Sequence, residues 1–578
     1  MSNGGNIIGQ VLKEQGVEFL FTLCGGHIAP ILVGAKENGI RVIDVRNEAT
    51  AVFAADAVSR LTGIPGVAAV TAGPGVTNSV TAIKNAQMAQ SPLILLGGAT
   101  ATLLKGKGAL QDINQIDLYK SITKWTVSIQ EDCDIVPIIE EAFDVATSGV
   151  PGPVFVECPI DLIYDEDLVR GWYGSEFKNA ETIKEKVVNW YVRRHVDKLF
   201  ACSDKSVEIA KKEGIKPFGV EKDNIEEVIS HIKQSERPVL VIGSQATLRV
   251  EIVQELSKKL RTFGIPVFLT GMARGLMGEE HPLYYRHNRS QALREADLII
   301  IAGMPCDFRL KYGRIINKEG VHIAINRSEE DLELNKDPDI GIQADPGTFL
   351  NHLLEEQTVK PDKWDEWRSI LDMREAKGKE KIDEFSSVET KFINPLVLCQ
   401  RINELMEEES IIIGDGGDFI ATASYTVKPR APLSWLDPGP YGTLGVGAGF
   451  ALAAKLVHPE KEVWLFYGDG AAGYSILEYD TFVRHNVPII GIIGNDAGWT
   501  QIERDQVEYL NDDVGTQLQY SDYDNIVKSF GAKGLKLTES THIERKISLA
   551  KKTVSDGFPV LINCLIGKTD YRKGSISM

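Results

Sequence analysis

Short apolar runs alternate with amphipathic segments along the first part of the chain. The apolar runs lie at residues 17–23, 41–45, 67–71, 93–96 and 154–158, and helical patterns fill residues 7–15, 49–62 and 78–90. Strands that are apolar on both faces and alternate with helices are typical of a doubly wound parallel sheet. The pattern therefore predicts one such domain over residues 1–165.

The same alternation returns twice, in residues 226–352 and 391–578. The segments between them break the rhythm and are predicted to be a helical connector (166–225) and a charged linker (353–390). The predicted fold class is α/β, with three doubly wound parallel-sheet domains.

Two further segments have less regular patterns. Apolar residues from Val187 to Phe200 fall at helical spacing, which favours a helix packed on the body over a membrane or partner helix. The polar tail after the last strand, residues 567–578, is expected to fray rather than to form a flap.

Composition and charge narrow the class of protein. The 578 residues are 43% hydrophobic and 25% charged, and the net charge of −18 argues against nucleic-acid or anionic-membrane surfaces. Seven cysteines without paired spacing indicate reduced thiols, and no apolar run reaches membrane-spanning length. We therefore expect a cytoplasmic protein without membrane or nucleic-acid partners.

The C-terminal region carries a loop suited to metal and phosphate. Gly468-Asp469-Gly470 ends one apolar run, and Gly494-Asn495-Asp496 ends the next, with 24 residues between Gly470 and Asn495. Strand ends of a parallel sheet are where ligands bind, and Asp469 and Asp496 offer the hard oxygen ligands that Mg²⁺ prefers. An ordinary strand–helix–strand unit is the alternative, but the spacing favours a Mg²⁺–diphosphate site.

Four motifs together resemble a known family. They are Gly25-Gly-His-Ile28, Arg46-Asn-Glu-Ala-Thr-Ala-Val-Phe-Ala-Ala-Asp56, Thr71-Ala-Gly-Pro-Gly-Val-Thr-Asn78, and Gly468-Asp-Gly470 with Asn495-Asp496. The chain resembles the thiamine diphosphate (ThDP) enzymes of the acetolactate synthase, 2-hydroxyacyl-CoA lyase and benzaldehyde lyase superfamily over nearly its whole length. The resemblance implies pyrimidine-binding, central and diphosphate-binding domains in that order, and Asp496 replaces the family's second Asn.

The resemblance implies a role for each matching residue. Glu48 would hydrogen-bond the pyrimidine ring nitrogen and promote loss of the thiazolium proton, although an acid at a helix start also has a purely electrostatic explanation. Asp469, Asp496 and the Gly498 carbonyl would hold Mg²⁺. The remaining cofactor contacts implied are Pro74, Asn78, Gly417, Asp418, Gly442, Leu444, Gly470 and Ala471. The family builds each site from two subunits, so a homodimer is the minimum expected and a homotetramer is common.

Residues of the reaction pocket follow from the same resemblance. His27 and Gln111 match positions above the thiazolium, and His27 could take the proton of a substrate 2-hydroxyl or simply cap its glycine turn. Gln111 and Leu110 replace a Glu and a Tyr of oxalyl-CoA decarboxylase, which weighs against oxalyl-CoA. Trp499 is expected either to wall the acyl channel or to belong to the core.

Basic residues gather in the central domain of an otherwise acidic chain. They are Arg274, Arg286, Arg289, Arg294, Arg309, Lys311 and Arg314. They predict a pocket for the phosphates of CoA, ADP or a vestigial FAD, or else a solvated face with ion pairs. Asn326 stands where the family often has an acid that contacts a ribose; the candidate nucleotide residues are Arg274, Arg289, Arg309 and Asn326.

Three functions are weighed. The resemblance favours a ThDP-dependent lyase that cleaves a 2-hydroxyacyl-CoA to an aldehyde and formyl-CoA and catalyses the reverse condensation. An acetolactate synthase-type carboligase acting on pyruvate is the second hypothesis. A catalytically silent nucleotide- or CoA-binding protein is the third, although retention of Glu48 and Asp469 argues against it.

Overall fold

The computed structural model describes residues 3–175, 182–202, 209–210, 214–356 and 361–574. The chain divides into two compact units, Met1–Ile215 and Lys216–Met578, each described here by itself. The first unit holds one parallel sheet and the second unit holds two, so the predicted α/β fold with three sheets is confirmed.

The sheet of the first unit has six parallel strands in the order β2-β1-β3-β4-β6-β5. Its strands are β1 Phe19–Leu23, β2 Arg41–Asp44, β3 Gly66–Val70, β4 Leu93–Ala99, β5 Trp125–Ser128 and β6 Pro153–Pro159. Its helices are Gly4–Glu14, Ala29–Glu37, Glu48–Thr62, Pro74–Asn78, Val80–Met88, Gln115–Tyr119, Ile135–Thr147, Ile160–Ile163, Glu166–Ser175 and Ile183–Leu199. Strands β3, β4 and β6 are buried along their whole length, which explains their continuous apolar runs.

The central sheet has five parallel strands in the order β11-β10-β9-β7-β8. Its strands are β7 Pro238–Ile242, β8 Val267–Leu269, β9 Leu298–Ala302, β10 Val321–Asn326 and β11 Ile340–Gln343. The helices of this region are Lys222–Gln234, Val250–Leu260, Arg289–Glu295, Glu329–Glu333, Pro346–Glu356 and Asp365–Ser386.

The C-terminal sheet has six parallel strands in the order β13-β12-β14-β15-β17-β16. Its strands are β12 Ile411–Gly414, β13 Trp435–Leu436, β14 Val463–Gly468, β15 Ile490–Asn495, β16 Lys533–Leu537 and β17 Val560–Leu565. Its helices are Pro395–Leu405, Asp418–Thr426, Val446–Val457, Asp469–Ser475, Tyr479–Arg484, Thr500–Leu510, Tyr523–Ser529 and Ile543–Ser555.

Four expectations from the sequence differ from the structure. The helix predicted over residues 78–90 spans Val80–Met88, and a short helix that was not predicted, Pro74–Asn78, precedes it and is separated from it by Ser79. The helix Ile183–Leu199 packs only partly on the body: Val196 and Leu199 are buried, whereas Val187 and Tyr191 are exposed.

The third difference concerns the cysteines. Cys133 and Cys202 form a disulfide, with Cα atoms 5.3 Å apart, so the prediction of reduced thiols is wrong for this pair. Sequence spacing could not reveal a partner 69 residues away. The other five cysteines are free.

The tail does not fray over its described part. Tyr571 is buried and makes edge contacts with Phe385 and Tyr425, at ring-centroid distances of 5.7 and 6.0 Å. The expectation of fraying is therefore wrong up to residue 574, because an aromatic anchor holds the segment. Residues 575–578 lie outside the described part of the chain.

Candidate active site

Glu48 lies at the carboxyl edge of the first sheet, at the start of the helix Glu48–Thr62. Asn47 caps this helix, its side chain accepting from the Ala49 amide at 2.9 Å. The Glu48 side chain is nearly buried, at 6% exposure, and its Oε2 accepts from Asn78 Nδ2 at 3.1 Å. A Cβ on Gly75 would lie 3.5 Å from Oε1, so the Gly75 backbone passes close to the other carboxylate oxygen. The structure thus brings Glu48 together with Gly75 and Asn78 of the short helix Pro74–Asn78.

His27 and Gln111 lie on neighbouring loops of the same sheet edge. Nδ1 of His27 is 3.4 Å from Thr71 Oγ1, and burial lowers the pKa of His27, which favours a neutral imidazole near pH 7. Gln111 has a positive φ of 64°, and a Cβ on Gly73 would lie 2.8 Å from its carbonyl oxygen. The absence of a side chain on Gly73 therefore permits the loop that contains Gln111 to pack against the backbone at residue 73.

A buried polar network holds these loops, and the sequence did not reveal it. Gln115 Oε1 accepts from the Gly73 amide at 2.9 Å, and its Nε2 donates to the Gly98 carbonyl and to Glu157 Oε1, each at 3.1 Å. Glu157 also pairs with Lys105 at 2.5 Å. The one signal of this network in the sequence was Glu157, an acid inside the apolar strand β6. A buried carboxylate needs hydrogen-bond or charge partners, so its presence there indicates a polar network.

Asp469 and Asp496 lie side by side at the carboxyl edge of the C-terminal sheet. Strands β14 and β15 are paired with Gly468 opposite Gly494, so the residues after them are neighbours. Asp469 accepts from the amides of Gly470 and Gly498, at 2.9 and 3.1 Å. Burial and the charge of Asp496 raise the pKa of Asp469 to about 7, and burial raises the pKa of Asp496 to about 6.

The donor set of this edge fits a hard divalent cation. Asp469 is buried and Asp496 is half-buried, and both pKa values are raised. The pair thus lacks the compensating charge that two ionised carboxylates require, and Mg²⁺ would supply it. The amides of Gly470 and Ala471 begin the helix Asp469–Ser475, a favourable end for a phosphate. The ring of Trp499 lies over Gly470, where a Cβ would be 2.5 Å from ring atoms, so Trp499 packs directly against this loop.

Gly417 and Asp418 abut the same loop. Gly468 donates its amide to the Gly416 carbonyl at 3.2 Å, and Gly417 has a φ of +105° that favours glycine. The Asp418 carboxylate forms a two-pronged ion pair with Arg504, at 3.1 and 2.9 Å. Arg504 was missed by sequence reasoning, because nothing in the motif indicates a cation eight residues beyond Asp496.

Leu444 is held by a carboxylate that the sequence analysis also missed. Asp415 is buried and accepts from the amides of Gly445 and Gly447, at 2.8 and 3.0 Å, and burial raises its pKa to about 7. A Cβ on Gly416 would lie 2.1 Å from Leu444 Cδ2. Gly442, two residues earlier, has a φ of +65°. Asp415 and Gly416 therefore determine where Leu444 lies.

A cavity of about 1070 Å³ opens beside the central sheet and the tail. Its lining contains eight arginine or lysine residues and two glutamates, and the basic ones are Arg274, Arg286, Arg289, Arg294, Lys377, Lys381, Arg572 and Lys573. Burial and neighbouring cations lower the pKa of Arg289 to about 10, which reflects crowded positive charge. Such a cavity in an acidic chain fits a polyanionic ligand.

The other predicted nucleotide residues lie outside the lining of this cavity. Arg309 pairs with Asp307 at 2.7 Å, and its carbonyl accepts from Arg289. Asn326 is buried, and its Oδ1 accepts from Gln245 Nε2 and the Ser328 amide, at 2.8 and 2.9 Å. The predicted basic cluster thus divides: four of its seven members line the cavity.

Comparison with known proteins defines the class. Residues 2–118, 225–353 and 415–564 match the N-terminal, central and C-terminal domains of the thiamine pyrophosphate enzymes. The chain belongs to this family, whose cofactor is ThDP, and the predicted domain order is confirmed.

Full-length relatives narrow the class further. The 2-hydroxyacyl-CoA lyase 2 of Danio rerio is 46% identical over 587 residues, covering 100% of this chain and 93% of the relative. Its Homo sapiens counterpart is also 46% identical, over 588 residues, with coverages of 100% and 92%. An acetolactate synthase large subunit of Mycobacterium tuberculosis is 31% identical over 567 residues, with coverages of 97% and 95%. The prediction of a ThDP-dependent lyase is confirmed.

The length and hydropathy of the helices bear on whether the chain could cross a membrane. In the part of the chain that the structure describes, no helix is both long enough and apolar enough to cross a bilayer.

Proposed function

We propose that this ThDP enzyme cleaves a 2-hydroxyacyl-CoA to an aldehyde and formyl-CoA and catalyses the reverse condensation. The observation that carries the proposal is the basic cavity, because eight cations around one cavity suit the phosphates of CoA. Relatives named 2-hydroxyacyl-CoA lyase 2 at 46% identity support the same substrate class. The proposed reaction is redox-neutral. The hydroxyl group of the substrate loses its proton as the carbon–carbon bond breaks, and the carbon that becomes the formyl group gains a proton.

Glu48 is proposed to bind the pyrimidine ring of the cofactor. Asn78 occupies Oε2, and the absence of a side chain on Gly75 leaves room beside Oε1 for that contact. ThDP supplies, when bound, the nucleophilic carbon and the electron sink that this cleavage requires. A nearly buried carboxylate strengthens the hydrogen bond it makes, because water does not compete there.

His27 is proposed to take the proton of the substrate hydroxyl as the carbon–carbon bond breaks. Burial lowers its pKa, so the imidazole is neutral and able to accept a proton near pH 7. Thr71 lies beside Nδ1 and would leave Nε2 for the substrate. The Gln111 backbone packs against Gly73, whose amide donates to Gln115, and this contact would keep Gln111 at the edge of the pocket.

Asp469, Asp496 and the Gly498 carbonyl are proposed to hold Mg²⁺. The raised pKa values of the two carboxylates support this, since a divalent cation offsets their mutual repulsion. Gly417, Asp418, Gly470 and Ala471 would surround the diphosphate, and Gly442 and Leu444 would support the bent cofactor.

Arg274 and Arg289 are proposed to bind CoA phosphate groups in the basic cavity. Arg309 would act only through its carbonyl, which fixes Arg289. The Oδ1 atom of Asn326 already accepts two hydrogen bonds, so a ribose contact there has no support. ADP or FAD binding in the central domain stays a prediction from the resemblance.

A homodimer is the proposed minimum active unit, with a homotetramer as the expected assembly. Large apolar side chains are exposed next to both halves of the site: Leu110 beside Gln111, Tyr474 and Leu477 after Gly470, and Ile502 after Gly498. A partner subunit would bury them. The cytoplasmic location stays a prediction from the sequence.

One assay separates the candidate functions. The purified chain, with ThDP and Mg²⁺, is incubated with a 2-hydroxyacyl-CoA or with pyruvate, and products are identified by mass spectrometry. We expect formyl-CoA and the aldehyde from the first substrate. Acetolactate from pyruvate alone would overturn the proposal in favour of the synthase, and bound ThDP without either product would favour a silent binding protein.

A further inference from the structure

Charge at the proposed Mg²⁺–diphosphate edge is unbalanced. Its acids are Asp418, Asp469, Asp496 and Glu503, and its cations are Arg504 and Lys568. With all six ionised, the edge carries two excess negative charges, which one Mg²⁺ would neutralise. A diphosphate then adds negative charge again, so the two protein cations become decisive for its binding.

Lys568 is attached to this edge by the segment that follows β17. The Ile566 amide donates to the Asn495 carbonyl, and the Gly567 amide donates to the Ile393 carbonyl, each at 3.0 Å. Tyr571 anchors the same segment three residues later against Phe385. The backbone of Lys568 is therefore held on both sides, two residues after the amide that bonds Asn495, the residue before Asp496.

The Lys568 side chain points at the metal half of the edge. A Cβ on Gly498 would lie 3.5 Å from Lys568 Nζ, and the ammonium group pairs with Glu503. About 40% of the Lys568 side chain is exposed, so a solute anion can approach it from solvent.

We propose that Lys568 is a binding residue for the cofactor diphosphate, supplied by the segment between β17 and Tyr571. This inference rests on the proposed Mg²⁺–ThDP site. It assigns opposite effects to one side chain: the ammonium repels Mg²⁺ alone and attracts the anionic diphosphate. A lysine that served only as the ion-pair partner of Glu503 would not produce this opposition.

The test measures binding of Mg²⁺ and of ThDP separately, using intrinsic fluorescence of the full-length protein. For Lys568→Met, we expect ThDP at saturating Mg²⁺ to bind about tenfold more weakly, one charge-assisted contact of ~1.4 kcal/mol being lost. Mg²⁺ without ThDP is expected to bind equally well or more tightly. Lys568→Arg should recover most of the ThDP affinity, and the exposed Lys552→Met provides a matched control for charge alone.

A double variant distinguishes binding from a structural role. In the double variant Lys568→Met with Glu503→Gln, Glu503 is no longer left as an acid without its lysine partner. If Lys568 served only to pair with Glu503, the double variant would therefore regain wild-type ThDP affinity. Wild-type ThDP affinity in Lys568→Met, or its full return in the double variant, overturns the inference. If the wild-type chain itself bound no ThDP, the proposed function would fail first, and the two failures are therefore distinct.

Discussion

Replacing Asp496 by Asn tests the electrostatics of the metal edge in depth. The pKa of Asp496 is raised from 3.8 to about 6, chiefly by burial, which corresponds to a cost of up to about 3 kcal/mol for ionising it in the folded chain. Because the folded pKa is the higher one, stability is greatest at low pH and is lost as pH rises through it. Without metal, we expect Asp496→Asn to remove that loss and to raise stability by about 1–3 kcal/mol at pH 8.

The same substitution should weaken metal binding. An amide oxygen carries no net charge, so the affinity for Mg²⁺ is expected to fall about 10–100-fold, or ~1.4–2.8 kcal/mol. The apo protein thus gains stability while the Mg²⁺ complex loses it. The two effects have opposite signs and a common origin in the half-buried charge of Asp496 beside Asp469.

Thermal unfolding at several pH values with and without Mg²⁺ measures both effects. We expect the apo Tm of the variant to exceed that of the wild type at pH 8, by about 2–4 °C per kcal/mol for a domain of this size, and the difference to vanish near pH 4. Titration calorimetry gives the Mg²⁺ affinity. The exposed Asp556→Asn is the matched control. An unchanged Mg²⁺ affinity, or a lower apo Tm at pH 8, would refute this reasoning.

Three other substitutions test the remaining parts of the site. Glu48→Gln should lower turnover by about 10²–10⁴-fold with little effect on ThDP binding, since the Asn78 contact is retained; stopped assays and fluorescence titration measure the two quantities. Gly416→Ala should displace Leu444, cost about 1–3 kcal/mol and weaken ThDP binding about tenfold, as followed by thermal shift and titration. Arg289→Met should raise KM for the CoA substrate about tenfold and leave ThDP affinity unchanged, as steady-state kinetics would show.

Each of these three predictions has an outcome that would contradict it. Wild-type turnover in Glu48→Gln would remove the proposed role of that carboxylate. Gly171→Ala is the control for Gly416→Ala, because a Cβ there meets nothing within 4 Å; equal effects of the two would contradict the Leu444 argument. An unchanged KM in Arg289→Met would place CoA outside the cavity.

Strand prediction succeeded where burial is complete. Strands β3, β4 and β14 are buried throughout, so their apolar runs stand out in the sequence. Strands β5 and β16 lie at sheet edges and are only partly buried, and β16 alternates lysine with leucine and glycine. These two strands were missed because their half-buried positions leave no continuous apolar run, whereas the edge strand β2 was predicted from its apolar residues Val42 and Ile43.

The sequence was enough to predict the fold class, the cofactor loops and the candidate residues that follow strand ends, such as Glu48, Asp469 and Asp496. Those residues are recognisable because the parallel sheet places consecutive strand ends at one edge, and each motif is local in sequence.

The distant side chains that support the site became apparent only in the folded chain. Asp415 reaches Gly445 across 30 residues, Arg504 reaches Asp418 across 86, and Lys568 reaches Glu503 across 65. In the folded chain, four members of the basic cluster line the cavity, whereas Arg309 pairs with Asp307. Cys133 and Cys202 form a disulfide that the sequence did not indicate. Such contacts depend on how helices and loops pack over the sheets, and no local pattern of residues encodes that packing.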